Sequence, residues 1–86
     1  MTVYLVDEPF VELAASFAAK DELARLVLLQ DAVYASRKPV SPRPVYVLDE
    51  DVSRRGLASK IPSAVNVVSY DQLVKMMEEE KVVNFL

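Results

Sequence analysis

The sequence predicts a small three-layer α/β sandwich, in which helices cover both faces of a mostly parallel sheet of four or five strands. Short, wholly apolar runs recur along the chain, and residues 45–48 (Val-Tyr-Val-Leu) form the clearest of them. Such runs are typical of strands that are buried on both faces of a parallel sheet. This run continues into the acidic residues 49–51 and then reaches Gly56, an order that predicts a strand, a helix start and a helix stop. Repetition of the strand–helix unit along the chain favours the parallel α/β class.

The first half of the chain predicts two such units. Residues 3–6 and 26–29 are apolar and predict the first two strands. Asp7 is placed to cap the first helix, and residues 32–37 predict a short second helix. The first helix should bury one face, whose members recur with helical spacing: Phe10, Leu13, Ala14, Phe17 and Ala18.

The second half predicts two further units and an apolar tail. A loop with three prolines at 38–44 precedes the third strand, and residues 65–68 predict the fourth. Ser69 and Gln72 have the spacing of a capping box for the last helix. The buried face of that helix is predicted to consist of Tyr70, Leu73, Val74 and Met77. Its C-terminal end is predicted to be solvated and contains Glu78, Glu79 and Glu80. With right-handed connections we predict the flavodoxin-like strand order 2-1-3-4, and residues 82–86 are a candidate edge strand.

The composition predicts a single domain, residues 1–86, that does not stay monomeric. A chain of 86 residues has room for one domain. Because 52% of the residues are hydrophobic, part of the apolar surface should remain exposed on a monomer. We expect the alanine-rich side of the first helix, Ala15 and Ala19, to let another surface approach closely. Phe85 in the tail is expected to anchor that contact.

Missing residue types exclude several classes of function. The sequence contains no cysteine and no histidine, and its single glycine cannot build a phosphate-binding loop. We therefore expect no cofactor, no metal site and no enzymatic activity. A net charge of −3 argues against direct nucleic-acid binding. No apolar run is long enough to span a bilayer and no basic segment opens the chain, so we expect a cytoplasmic protein without membrane association.

Polar side chains at the predicted strand ends form the candidate binding site. Gln30 and Asp31 follow the second strand, Asp49 follows the third, and Arg55 lies near the end of the next helix. The carboxyl ends of parallel strands meet at one edge of the sheet, where ligands usually bind. This strand-end rim can bind a small anion or a nucleotide. Asp7, Asp31 and Asp49 can also hold Mg²⁺, but capping of the next helix explains each of them and is the favoured interpretation.

Two stretches carry a resemblance to a known family. Residues 26–35 (LVLLQDAVYA) and 45–57 (VYVLDEDVSRRGL) are similar to the DsrH/TusB family of sulfur-relay proteins. The matching residues of the two stretches are Leu28, Leu29, Gln30, Asp31, Val33, Asp51, Arg55, Gly56 and Leu57, while Ala32 stands where members have glycine. Similarities at 8–10 and 66–74 extend the resemblance over nearly the whole chain.

The resemblance implies a DsrE-like α/β fold and a role in a sulfur-relay complex. Members assemble with DsrE/TusD-like and DsrF/TusC-like subunits, which pass persulfide sulfur towards 2-thiolation of the tRNA wobble uridine or serve sulfur oxidation. Some members carry a cysteine on the first helix, and the matching residues 13–17 contain none. The implied role is a non-catalytic accessory subunit that cannot itself hold a persulfide. The alternative from the residues is a stand-alone homo-oligomer that binds a small anion or nucleotide at the strand-end rim.

Overall fold

The computed structural model describes residues 2–37 and 42–86 and shows a parallel five-stranded sheet with helices on both faces. Its strands are β1 (Thr2–Val6), β2 (Ala24–Leu28), β3 (Val45–Leu48), β4 (Asn66–Val68) and β5 (Lys81–Phe85). Its helices are α1 (Val11–Ala19), α2 (Asp49–Arg54) and α3 (Tyr70–Glu79), with 3₁₀ segments η1 (Gln30–Arg37) and η2 (Ala58–Lys60). The predicted fold class and the final edge strand are confirmed. Residues 38–41 of the predicted proline loop lie outside the described residues.

The predicted strand order 2-1-3-4 is wrong, because the order in the sheet is β4-β3-β2-β1-β5. All four pairings between neighbouring strands are parallel. The prediction placed β3 on the open side of β1, and that place is occupied by β5 instead. Periodicity could not distinguish the two arrangements, because β3 and the tail are both short apolar runs that fit beside β1.

The distribution of helices follows from this order. Strands β1 to β4 succeed one another in one direction across the sheet, so right-handed connections put α1, η1 and α2 on the same face. The chain reverses direction once, when α3 carries it from β4 back to the free side of β1. The larger core cluster accordingly lies under α1, η1 and α2, and the smaller one lies under α3.

Helix α1 buries a narrower face than its periodicity predicts. Ala14 and Ala18 are fully buried against the sheet, whereas Leu13 is 48% exposed and Phe17 is 52% exposed. Two alanines on the contact face let the helix lie close to the strands, which leaves no room for larger neighbours beneath it. Phe17 instead projects towards β5, where its ring centroid lies 5.7 Å from that of Phe85.

Helix α3 begins at the predicted capping box but buries a different face. Ser69 Oγ accepts the N–H of Gln72, and Gln72 Oε1 accepts the N–H of Ser69. Of the predicted face, Leu73 is buried, whereas Tyr70 is 60% exposed and Met77 is 38% exposed.

An ion pair at the end of α3 accompanies this change of face. Glu80, expected to be solvated, lies 3.2 Å from Arg25 of β2, and only 10% of its side chain is exposed. Glu80 is the C-cap residue of α3 and has an extended backbone, while Leu73 and Met76 of the helix pack in the core cluster under α3. The sequence pattern missed the ion pair because it joins Glu80 to a residue 55 positions earlier in the chain.

Gly56 ends α2 in the left-handed conformation, with φ of 64°, as its position after Arg54 and Arg55 predicts. An added Cβ would meet no atom within 4 Å. We expect Gly56→Ala to lower the free energy of unfolding by about 1 kcal/mol, because the cost is conformational rather than steric. Urea unfolding of the variant checks this, and an unchanged midpoint would show that the turn relaxes to negative φ.

Candidate functional site

The carboxyl ends of β2 and β3 open into a polar depression of about 570 Å³. Its lining residues are Gln30, Asp31, Tyr34, Asp51, Arg54 and Arg55. Three of the four residues predicted for the strand-end rim, Gln30, Asp31 and Arg55, therefore lie together. The fourth, Asp49, is not part of the lining, and Asp51 from the same helix takes its place.

Arg55 joins the two walls of the depression. Its Nε donates to Asp31 Oδ1 of η1 at 3.0 Å, and its Nη1 donates to the carbonyl oxygen of Asp51 in α2 at 3.1 Å. The same Nη1 lies 3.5 Å from Asp51 Oδ1. Because only 20% of the Arg55 side chain is exposed, these contacts are partly shielded from water. The guanidinium thus fixes the position of η1 relative to α2.

Asp51 holds an unusual turn at the end of β2. Its Oδ2 accepts the N–H of Gln30 at 2.8 Å, and Gln30 has φ of 50°, in the left-handed region that residues other than glycine seldom adopt. The residue is 7% exposed, so its carboxylate is compensated by Gln30 and Arg55 rather than by water. Asp51 was not among the site residues predicted from the sequence. Its i, i+4 spacing to Arg55 was the available signal.

The acidic residues expected to cap helices have different roles. Leu48 is the N-cap residue of α2, so Asp49 is the first helical residue and is exposed; it accepts from Ser53 Oγ at 3.5 Å. Asp31 lies within η1 and pairs with Arg55. Asp7 accepts the N–H of Glu8 at 2.8 Å, and Phe10 is the N-cap of α1. Within the described ranges, no three acidic groups come together in a cluster that could hold a metal ion, so the Mg²⁺ alternative gains no support.

The electrostatics of the depression are balanced. Asp31 and Asp51 carry two formal negative charges, and Arg54 and Arg55 carry two positive charges. Arg54 is the more accessible cation, with 74% of its side chain exposed and a distant contact of 3.9 Å to Glu50. Tyr34 adds a half-exposed aromatic ring. The depression can therefore offer a guanidinium, an amide and an aromatic face to a bound group.

Phe85, the predicted interface anchor, packs within its own chain. Its ring stacks on Tyr4 with a centroid distance of 5.7 Å and an interplanar angle of 24°, and Phe17 covers it from α1. Tyr4 is itself buried, and burial, followed by the nearby Asp21 carboxylate, raises the pKa of its hydroxyl above 10.0. The apolar tail is thus tied to the sheet as β5, and the role of Phe85 as an interface anchor stays a prediction.

The alanine side of α1 is also partly occupied. Ala15 is half-buried and Ala19 is exposed. Arg43 donates from Nε to the carbonyl oxygen of Ala18 at 3.0 Å and from Nη2 to that of Ala19 at 2.9 Å. Arg43 thereby caps carbonyl groups at the helix end, where the oxygen of Ala18 also accepts the N–H of Asp21 at 3.0 Å. The backbone around Ala19 therefore has a local role, and the predicted contact of Ala15 and Ala19 with another surface stays a prediction.

The fold and this site define a small parallel α/β domain with a polar depression at the carboxyl ends of its strands. The model of the family described as DsrH like protein matches residues 7–83, so the chain belongs to the DsrH-like family. Membership of this family supports a role related to sulfur relay in general.

A solved structure supports the same fold. The crystal structure of the ychN protein from E. coli superimposes with a TM-score of 0.73 at 20% sequence identity, covering 98% of this chain and 97% of that chain. A comparison with curated proteins finds no match. In the described part of the chain, no helix has the length and apolar character needed to cross a membrane.

Proposed function

We propose that the chain is a non-catalytic accessory subunit of a sulfur-relay complex, which assembles with DsrE/TusD-like and DsrF/TusC-like subunits in the cytoplasm. The observation that carries the proposal is the family match over residues 7–83 in a sequence without a single cysteine. A persulfide is formed on a cysteine sulfur, so a chain without cysteine takes part through its contacts and not through a covalent step.

Exposed apolar side chains on both helical layers support a role in assembly. Leu13 and Phe17 protrude from α1, and Tyr70 and Met77 protrude from α3. These large apolar side chains are exposed to water on the isolated chain, which is typical of a surface that contacts a partner. The cysteines that carry sulfur are then supplied by the partner subunits.

The proposed complex serves either 2-thiolation of the tRNA wobble uridine or sulfur oxidation. A net charge of −3 opposes direct contact with phosphates, so we assign any tRNA contact to the partner subunits.

Co-expression with DsrE-like and DsrF-like proteins from the same genome tests the proposal. We expect the tagged chain to retain both partners through affinity purification and gel filtration. We also expect the partners, after treatment with a persulfide donor, to gain sulfur by mass spectrometry while this chain keeps its mass. Failure of both proteins to co-purify with this chain would contradict the proposal.

The depression supports a second candidate function, a stand-alone homo-oligomer that binds a small anion or a nucleotide. The supporting observation is that Tyr34 and Arg54 are exposed on the same lining, next to Gln30. An aromatic face and an exposed guanidinium suit a base and a phosphate, respectively. The balanced charge of the lining favours a monoanion over a polyphosphate, since Asp31 and Asp51 repel additional negative charge.

Thermal unfolding in the presence of nucleoside monophosphates, thiosulfate, sulfate and Mg²⁺ tests this second candidate. A ligand that binds only the folded chain at 100 times its Kd stabilises it by about 2.7 kcal/mol, which raises Tm measurably. We expect Arg54→Ala to abolish the rise and Lys60→Ala, a change to an exposed cation outside the depression, to preserve it. A flat profile with every ligand would contradict this function.

A further inference from the structure

Gln30 has a backbone conformation that proteins usually reserve for glycine. Among the described residues, Gln30 (φ of 50°) and Gly56 (φ of 64°) are the two with positive φ. Glycine adopts this left-handed conformation freely, whereas a residue with a side chain is destabilised in it. At the end of α2 the chain uses glycine, and at the end of β2 it keeps a glutamine at a cost in stability. Strain of this kind concentrates at functional sites, so the Gln30 side chain is a candidate for a functional contact.

The strained conformation of Gln30 is held from a neighbouring element. Asp51 Oδ2 accepts the N–H of Gln30 at 2.8 Å, and Arg55 Nη1 lies 3.5 Å from Asp51 Oδ1. Asp51 is 7% exposed, so its carboxylate has little freedom to move. The contact is made with the main chain of Gln30. It therefore fixes the direction of the residue without engaging its side chain.

The carboxamide of Gln30 remains available for a ligand. Within residues 2–37 and 42–86, this side chain makes no hydrogen bond. Gln30 is exposed and lines the strand-end depression. A carboxamide has an acceptor oxygen and a donor nitrogen side by side. It can therefore pair with a donor and an adjacent acceptor on one planar edge, as glutamine does with adenine.

Two other exposed groups complete the recognition chemistry of the depression. Tyr34, four residues after Gln30 in η1, is 47% exposed and offers an aromatic face. Arg54 of α2, with 74% of its side chain exposed, offers a guanidinium. The volume of about 570 Å³ lies within the range of small-molecule sites. The lining thus combines stacking, hydrogen bonding to a planar edge, and a positive charge.

We propose that Gln30 is the specificity-determining residue of the depression: its carboxamide recognises the edge of a nucleobase stacked on Tyr34, while Arg54 binds the phosphate of the same nucleotide. The inference rests on the second candidate function and adds which residue selects the ligand. The ligand is a free mononucleotide, because a net charge of −3 opposes the many phosphates of a nucleic-acid strand.

Thermal unfolding of the full chain with AMP, GMP, CMP, UMP and ribose 5-phosphate tests the recognition of a base. Ribose 5-phosphate carries the phosphate without a base. At about ten times its Kd, a ligand raises Tm by roughly 5 °C for a chain of this size. We expect at least one nucleotide to raise Tm further than ribose 5-phosphate does at the same concentration. This excess measures the contribution of the base.

Two variants of Gln30 test its role. Gln30→Met keeps an unbranched side chain of similar length but removes its polar atoms. We expect it to lose the excess and to keep the rise with ribose 5-phosphate. Gln30→Gly should lose the same excess and, without ligand, unfold about 4 °C higher than the unmodified chain, because glycine relieves the left-handed strain. Greater stability combined with weaker binding would not result from a merely structural role.

The control variant is Lys60→Ala, which removes an exposed cation outside the depression and should keep the excess. A single-stranded RNA of about ten nucleotides should raise Tm no more than the best mononucleotide, since charge repulsion opposes the longer ligand. Circular dichroism verifies that every variant is folded.

Four results would overturn the proposal, and they distinguish it from nucleotide binding itself. If the excess persists in both folded Gln30 variants, the depression binds nucleotides but Gln30 does not select them. Equal rises with nucleotides and ribose 5-phosphate would leave an anion site without base recognition. A larger rise with the RNA would assign the base to a strand. No rise with any ligand would overturn the second candidate function together with this inference.

Discussion

Replacement of Asp51 by alanine is expected to lower the free energy of unfolding by about 2–3 kcal/mol. The substitution removes the acceptor of the Gln30 N–H at 2.8 Å and one partner of Arg55. Gln30 is then left in a left-handed conformation with an unpaired N–H, and a largely buried guanidinium loses half of its charge compensation. Urea unfolding followed by circular dichroism measures the change.

Two variants define what Asp51 contributes. Asp49→Ala, two positions earlier on the same helix, removes an exposed carboxylate and should change stability by less than about 0.5 kcal/mol. Asp51→Asn keeps an oxygen acceptor for Gln30 but loses the charge, so its effect should fall between the two. Equal effects of Asp49→Ala and Asp51→Ala would refute the role assigned to the Asp51 network.

Phe85→Ala is expected to destabilise the fold by about 2 kcal/mol, less than the 3–5 kcal/mol typical of a fully buried phenylalanine because the ring is half-buried. The variant loses the stack on Tyr4 and the contact with Phe17, which add side-chain packing to the backbone pairing of β5 with β1. Unfolding is compared at one low protein concentration, so that association contributes equally to every sample.

Leu86→Ala provides the control for Phe85→Ala. Leu86 is the next residue and is 62% exposed, so its truncation should change stability by less than about 0.5 kcal/mol. If Phe85→Ala left stability unchanged but abolished a dimer, the ring would be the interface anchor that the composition first suggested. Loss of stability with an unchanged mass supports its role inside the chain.

Much of the strand-end site was accessible from sequence because it depends on local order. Gln30 and Asp31 follow one strand and Arg55 ends the helix after the next, and adjacent parallel strands bring such positions to one edge. Local order could not show whether Asp49 or Asp51 belongs to the site. Both follow the same strand, and only the direction in which each side chain leaves α2 makes Asp51 the buried partner of Gln30 and Arg55.

The sequence by itself determined the class of fold, the approximate positions of the five strands, the capping box at Ser69, the left-handed stop at Gly56 and the absence of cysteine. These features depend on residue type and on spacing within a few positions along the chain.

Only the tertiary structure decided the strand order, the buried faces of α1 and α3, and the burial of Phe85. Each depends on a contact between residues distant in sequence: β5 beside β1, Glu80 on Arg25, and Phe85 between Tyr4 and Phe17. The physical reason is that several short apolar segments have similar burial free energies. Periodicity therefore identifies which segments are buried, while competition for the same places in the sheet selects their partners.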